Sequence, residues 1–141
     1  MDFKTFKILH SETICFCQIL ENDLKWIYSF MHKGDKNKIR DSLEGKNLGQ
    51  IIQMLKKLDN EDDDLLISND DYNFLKQMKN KRNYWTHQAY IDFIYIDNYL
   101  SSKEYRQVCE KLQRDHDRLQ IVYKNVEQLK LKAKEIYTPT Y

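Results

Sequence analysis

Apolar residues recur every three or four positions along four stretches of the chain, the spacing that gathers them on one side of an α-helix. In the first stretch Leu9, Thr13, Cys17, Leu20, Leu24, Ile27 and Met31 share a stripe, predicting a helix over about residues 3–32 with Gly34 as its terminator. In "LGQIIQMLKKLD", Leu48, Ile51, Ile52, Leu55 and Leu58 lie on one face of a short second helix. A third stripe runs through Leu75, Met78, Trp85, Ala89, Phe93, Ile96 and Leu100, and Ser68 with Asp71 resembles a capping box at its start. Ser101 and Glu104 stand in the same relation before the fourth stripe, which carries Tyr105, Val108, Leu112, Leu119, Val122, Val126, Leu129, Ala133 and Ile136. At 1.5 Å per residue this last helix reaches about 50 Å, longer than a compact bundle needs. Its end is expected to project or to pack against a second copy.

Between these stretches the chain is polar. "KGDKNKIRDSLEGKN" reads as a connection with a short helical turn around Ile39 and Leu43, and "DNEDDD", residues 59–64, as an acidic loop. That loop lacks the glycine and spaced ligands of a calcium site, so it is expected to be a solvated, dispensable run. Three glycines and one proline in 141 residues leave little turn material, and the length suits one domain, 1–141. The expected fold is all-α: a bundle of four main helices with a long C-terminal helix. Lysines and arginines number 23 against 22 acids, so there is no overall basic field, and a nucleic acid is a partner only through a local basic patch. Cys15, Cys17 and Cys109 have no disulfide-framework spacing, and Cys-x-Cys on a helix splays its thiols about 200° apart. They are expected to be reduced and unmetallated. The N-terminal residues "MDFKTFKILH" show no signal-peptide core, and no apolar run approaches the ~18 residues of a membrane span. A soluble, cytoplasmic protein without membrane partner, metal or cofactor is expected.

Two residues break their stripes: Asp115 in the fourth helix and Arg82 in the third. An unpaired buried guanidinium costs several kcal/mol, so Arg82 needs a partner or a use. It sits in "KNKRNYWTHQAY", residues 79–90, with Asn83 beside it and His87 five residues on. On a regular helix Asn83 lies below His87, Tyr90 comes one turn beyond, and Arg82 stands about 140° from His87. Arginine, asparagine and histidine around one groove offer a bidentate cation, an orienting amide and a group that titrates near neutrality, a set suited to a phosphate. The neighbours Lys79, Lys81, Tyr84, Thr86 and Tyr90 are the candidates for further substrate contacts. The bland alternative is an arginine paired with a carboxylate and a structural histidine.

"RNYWTH" resembles the signature of the HEPN superfamily, small α-helical proteins whose motif is an arginine, four to six residues and a histidine, often with a polar residue directly after the arginine. The order of helices is similar, with the motif in the third and a further helix after it. The resemblance implies a metal-independent RNA endonuclease, a toxin or antiviral-defence effector, acting as a homodimer through the motif-bearing helix. His87 then serves as general base or acid on the ribose 2′-hydroxyl, Arg82 stabilises charge on the phosphorane, and Asn83 orients the pair. An antitoxin or other regulatory protein is a possible partner. Toxins of this kind that are paired with a nucleotidyltransferase usually carry a tyrosine two residues after the histidine; here that position is Ala89, and Tyr90 comes one later.

Two rival readings stay open. One is a HEPN-like protein that binds nucleotide or RNA without cleaving it. The other is a helical interaction module with no ligand, in which Arg82 pairs with an internal acid such as Asp23 or Glu21 and no cleft surrounds the motif.

Overall fold

Polar side chains start the helices where the apolar pattern begins. The computed structural model describes residues 1–61 and 66–137, and within them the chain forms α1 (Phe3–Met31), α2 (Lys36–Ser42), α3 (Leu48–Asp59), α4 (Asn69–His87) and α5 (Lys103–Tyr137), with one 3-10 turn at Tyr99–Ser101 and no strand. Asp2 accepts from the Thr5 amide at 2.7 Å, and Ser68 from that of Asp71 at 3.1 Å. Asn47 and Gln50 cap α3 reciprocally. The cap of α5 is Ser102, whose Oγ accepts from the Tyr105 amide at 3.0 Å, one residue later than the expected Ser101. Gly34 takes φ +124° just past α1, a conformation open to glycine and strained for other residues.

α1 and α5 run side by side in the same direction. Tyr105 Oη donates to the Met1 carbonyl at 3.0 Å, His116 meets Glu12 at 2.6 Å, and Lys130 reaches Asp23 at 2.9 Å. α2 folds back along α1, where Arg40 donates to Asn22 and lies over the Trp26 ring. α3 and the antiparallel α4 close the bundle. The far end of α5 packs on its own bundle rather than projecting: Ala133 is fully buried and Tyr137 lies against the core, although Ile136 is 54% exposed. No helix among the described residues is long and apolar enough to cross a membrane.

Two expectations are corrected. The third stripe continues to Phe93, but α4 stops at His87. Residues 88–98 are linked turns, in which bonds such as Asp92 N–H to the Gln88 carbonyl and Ile94 N–H to the Tyr90 carbonyl keep four-residue spacing without a continuous helix. Ala89 and Phe93 are therefore buried, while Leu100 is 53% exposed. Asp59, assigned to the solvated acidic run, is fully buried. Its carboxylate accepts from the Leu66 and Ile67 amides at 2.8 and 3.1 Å and from Tyr72 Oη at 2.7 Å, tying the loop to the start of α4. The acids at 62–64 lie outside the described residues.

The apolar side chains form two clusters. The larger holds Leu20, Leu24, Ile27, Ile51, Leu55, Leu75 and Met78; the other holds Phe6, Trp85, Ala89, Phe93, Tyr105 and Leu112. Polar residues of α1, α4 and α5 cross the bundle between them, and Arg82 belongs to that layer.

Candidate functional site

Asp115 is the buried anchor of the polar layer. Its two oxygens accept from the Trp85 indole N–H at 2.9 Å and from Lys81 Nζ at 2.7 Å, which explains why a carboxylate stands on the α5 stripe. Beside it, Arg82 Nη1 lies 3.2 Å from Glu21 Oε2 of α1, with the two side chains 37% and 15% exposed. Glu21 also faces Lys25 at 3.9 Å. Cys17, on the same side of α1, is pushed up to about 11, chiefly by burial, with Asp115 and Glu21 adding to the rise and Arg82 opposing it. Asp23, the other candidate partner of Arg82, is engaged by Lys130 instead.

The motif arginine is thus oriented by a carboxylate through one amino group, while more than a third of its side chain remains open to solvent. This is the pairing that the ligand-free module reading expects. It equally holds a guanidinium in a fixed pose with its other edge available, since an arginine fork has five donors.

His87 is the last residue of α4 and is exposed. The other three histidines are all bonded: His10 Nε2 to the Trp85 carbonyl at 2.6 Å, His32 to the Lys33 carbonyl at 2.7 Å, and His116 between Glu12 and Asp117. His87 makes no hydrogen bond or ion pair with any described residue. His10 fastens the last turn of α4 by its bond to the Trp85 carbonyl.

α4 is unbroken from Arg82 to His87, so the two side chains leave it about 140° apart and do not meet within one chain. The sector between them carries Thr86 and Asn83, both exposed, at about 40° and 100° from Arg82. Lys79, also exposed, lies one turn earlier in the same sector. The remaining candidates are otherwise occupied. Lys81 is held by Asp115. Tyr84 Oη donates to Asp92 at 2.8 Å and its ring lies 3.4 Å below Lys111 Nζ; burial, then Asp92, raises its pKa. Tyr90, beyond the end of α4, packs edge-on against Phe3, Phe6 and His10, and burial raises its pKa too.

Grooves of about 300–580 Å³ open at other places on the surface, lined by neither Arg82, Asn83 nor His87. At the motif itself Asn83, Thr86 and His87 are exposed and Arg82 is half-buried. Asp115 and Trp85 complete the site in a way the motif spacing did not reveal; the signal was the carboxylate on an otherwise apolar stripe. No family model, curated protein or solved structure matches this chain.

Proposed function

We propose that the protein is a metal-independent RNA endonuclease of the HEPN type that uses the ribose 2′-hydroxyl as its nucleophile. The observation that carries this reading is the contrast among the histidines: three are hydrogen-bonded, while His87 is presented, unbonded to described residues, at the exposed end of the helix that carries a carboxylate-oriented arginine. In the proposed reaction a histidine accepts the 2′-hydroxyl proton as O2′ attacks phosphorus. The P–O5′ bond breaks and O5′ takes up a proton, leaving a 2′,3′-cyclic phosphate and a 5′-hydroxyl. Arg82 binds a non-bridging phosphate oxygen and stabilises charge on the phosphorane, with Asn83 and Thr86 positioned to hold the phosphate between them.

Two proton transfers need a base and an acid, and each chain offers one unbonded histidine. A homodimer with α4 facing α4 supplies both, and sets Arg82 of one protomer toward His87 of its partner across the 140° that separates them within a chain. RNA is the proposed substrate, and a toxin or defence role, restrained by an antitoxin or other regulator, is the setting the motif suggests. The test is cleavage of RNA in EDTA by the wild-type protein, lost in His87→Ala and Arg82→Ala proteins that keep their helical signal.

The Arg82–Glu21 pair favours a second reading, a helical module in which the motif is structural. Under that reading Arg82→Ala lowers stability and changes no RNA-directed activity.

A further inference from the structure

The sequence allows a nucleic-acid partner only through a local basic patch, and α3 and α4 build one between them. Lys56 and Lys57 from α3 and Lys76 and Lys79 from α4 line a groove of about 540 Å³ together with Gln53 and Asn60, and no acid is among the described residues that line it. Like charges are packed closely here. Lys76 stands so near Lys56 that it pulls the Lys56 ammonium below the usual lysine range, and Lys56 Nζ also lies 6.0 Å over the Tyr72 ring. Lys57, Lys76 and Lys79 form no ion pair with a described residue, unlike Lys25, Lys81 and Lys130, each of which faces a carboxylate. Gly49 sits beside the Lys79 stem: an added Cβ would come 3.0 Å from its Cδ. α3 and α4 therefore approach closely where the lysines emerge.

The α4 lysines of the groove share a helical sector with the motif. On the helical wheel Lys76 and Lys79 fall about 120° and 60° from Arg82, inside the sector bounded by Arg82 and His87. From Lys76 to His87 the face extends about 16 Å. A row of lysines followed by Asn83, Thr86, Arg82 and His87 presents cations to successive phosphates of one strand.

We propose that the α3–α4 groove is the entry track for the phosphodiester backbone of single-stranded RNA, binding the nucleotides on one side of the bond that the Arg82–His87 face addresses. The assignment of RNA rests on the proposed function, whereas the assignment of a polyanion track rests on the lysines alone.

The test is fluorescence anisotropy with a labelled single-stranded RNA 12-mer carrying 2′-O-methyl sugars, which lacks the nucleophile and survives. Wild type sets the reference affinity. The Lys56→Gln/Lys76→Gln/Lys79→Gln protein should bind at least tenfold more weakly at low salt. Its plot of log K against log salt should be shallower by about 2, since each lost phosphate contact removes about 0.7 on a single strand. A control removing Lys4, Lys124 and Lys132, exposed lysines outside the groove, should change affinity less than threefold. Circular dichroism melts confirm that both triple variants fold.

Wild-type affinity and slope in the groove variant would overturn the proposal, as would an equal loss in the control. RNA left unbound while an acidic peptide or an anionic vesicle is bound through the same lysines would overturn it too. Lysine-dependent binding without any cleavage would remove the nuclease reading and leave the track. Cleavage lost in His87→Ala but unaffected in the groove variant would do the reverse.

Discussion

Replacing Asp115 by alanine isolates what holds the polar layer together. Trp85 is 1% exposed, and its indole N–H has Asp115 as its acceptor at 2.9 Å. An unpaired buried donor of this kind costs about 1–3 kcal/mol. Lys81, the other partner, is 27% exposed and can turn to water, so its loss adds less than about 1 kcal/mol. The vacated volume adds a fraction of the usual large-to-small cost, so the total is about 2–4 kcal/mol. Asp115→Asn keeps an acceptor for the indole and should lose about half as much. Arg82→Ala instead removes a pair whose arginine is 37% exposed, and Glu21 retains Lys25 nearby, so about 0.5–1 kcal/mol is expected. Urea unfolding followed by circular dichroism measures all three. Asp115→Ala within 1 kcal/mol of wild type, or Arg82→Ala as costly as Asp115→Ala, would refute the assignment of structural weight to Asp115 and leave Arg82 as a fold residue.

Asp59→Ala should cost about 2–4 kcal/mol in the same assay, because two backbone amides and the Tyr72 hydroxyl lose their acceptor in a buried place, and a loss under 0.5 kcal/mol would restore the solvated reading of that residue. Burial moves the Cys17 thiol from 9.0 to about 11, so the folded protein keeps a proton that the unfolded chain releases; this contribution is full below pH 9 and is lost by pH 11, about 2–3 kcal/mol in all. Cys17→Ala should flatten the decline in unfolding free energy over that window, and an unchanged slope counts against it. Sedimentation at micromolar concentration should give about twice the 17.2 kDa chain mass, and a clean monomer removes the composite site.

Most of the fold was legible because long stripes report burial directly. α1 and α3 lie where periodicity places them, and α5 begins one residue from its expected cap. The end of α4 was hidden because the turns after His87 keep the four-residue spacing of a helix, burying Ala89 and Phe93 by a different backbone. Composition could not separate Asp59 from its acidic neighbours, since its burial depends on amides brought back by the loop. At the site, the Arg82 anomaly pointed to Glu21 as one candidate partner, and Glu21 is the carboxylate it meets. The Lys81–Asp115–Trp85 contacts join α4 to α5 over at least 30 residues of sequence, beyond the reach of local spacing.

Metal-independent attack by the 2′-hydroxyl is tested by incubating the wild-type protein in EDTA with two oligonucleotides of one sequence, all-ribose and all-2′-deoxy. Only the ribose substrate should be cut, and the upstream product should end in a 2′,3′-cyclic phosphate. Folded His87→Ala should be inactive. Cleavage of the 2′-deoxy strand, or full activity without His87, would contradict it.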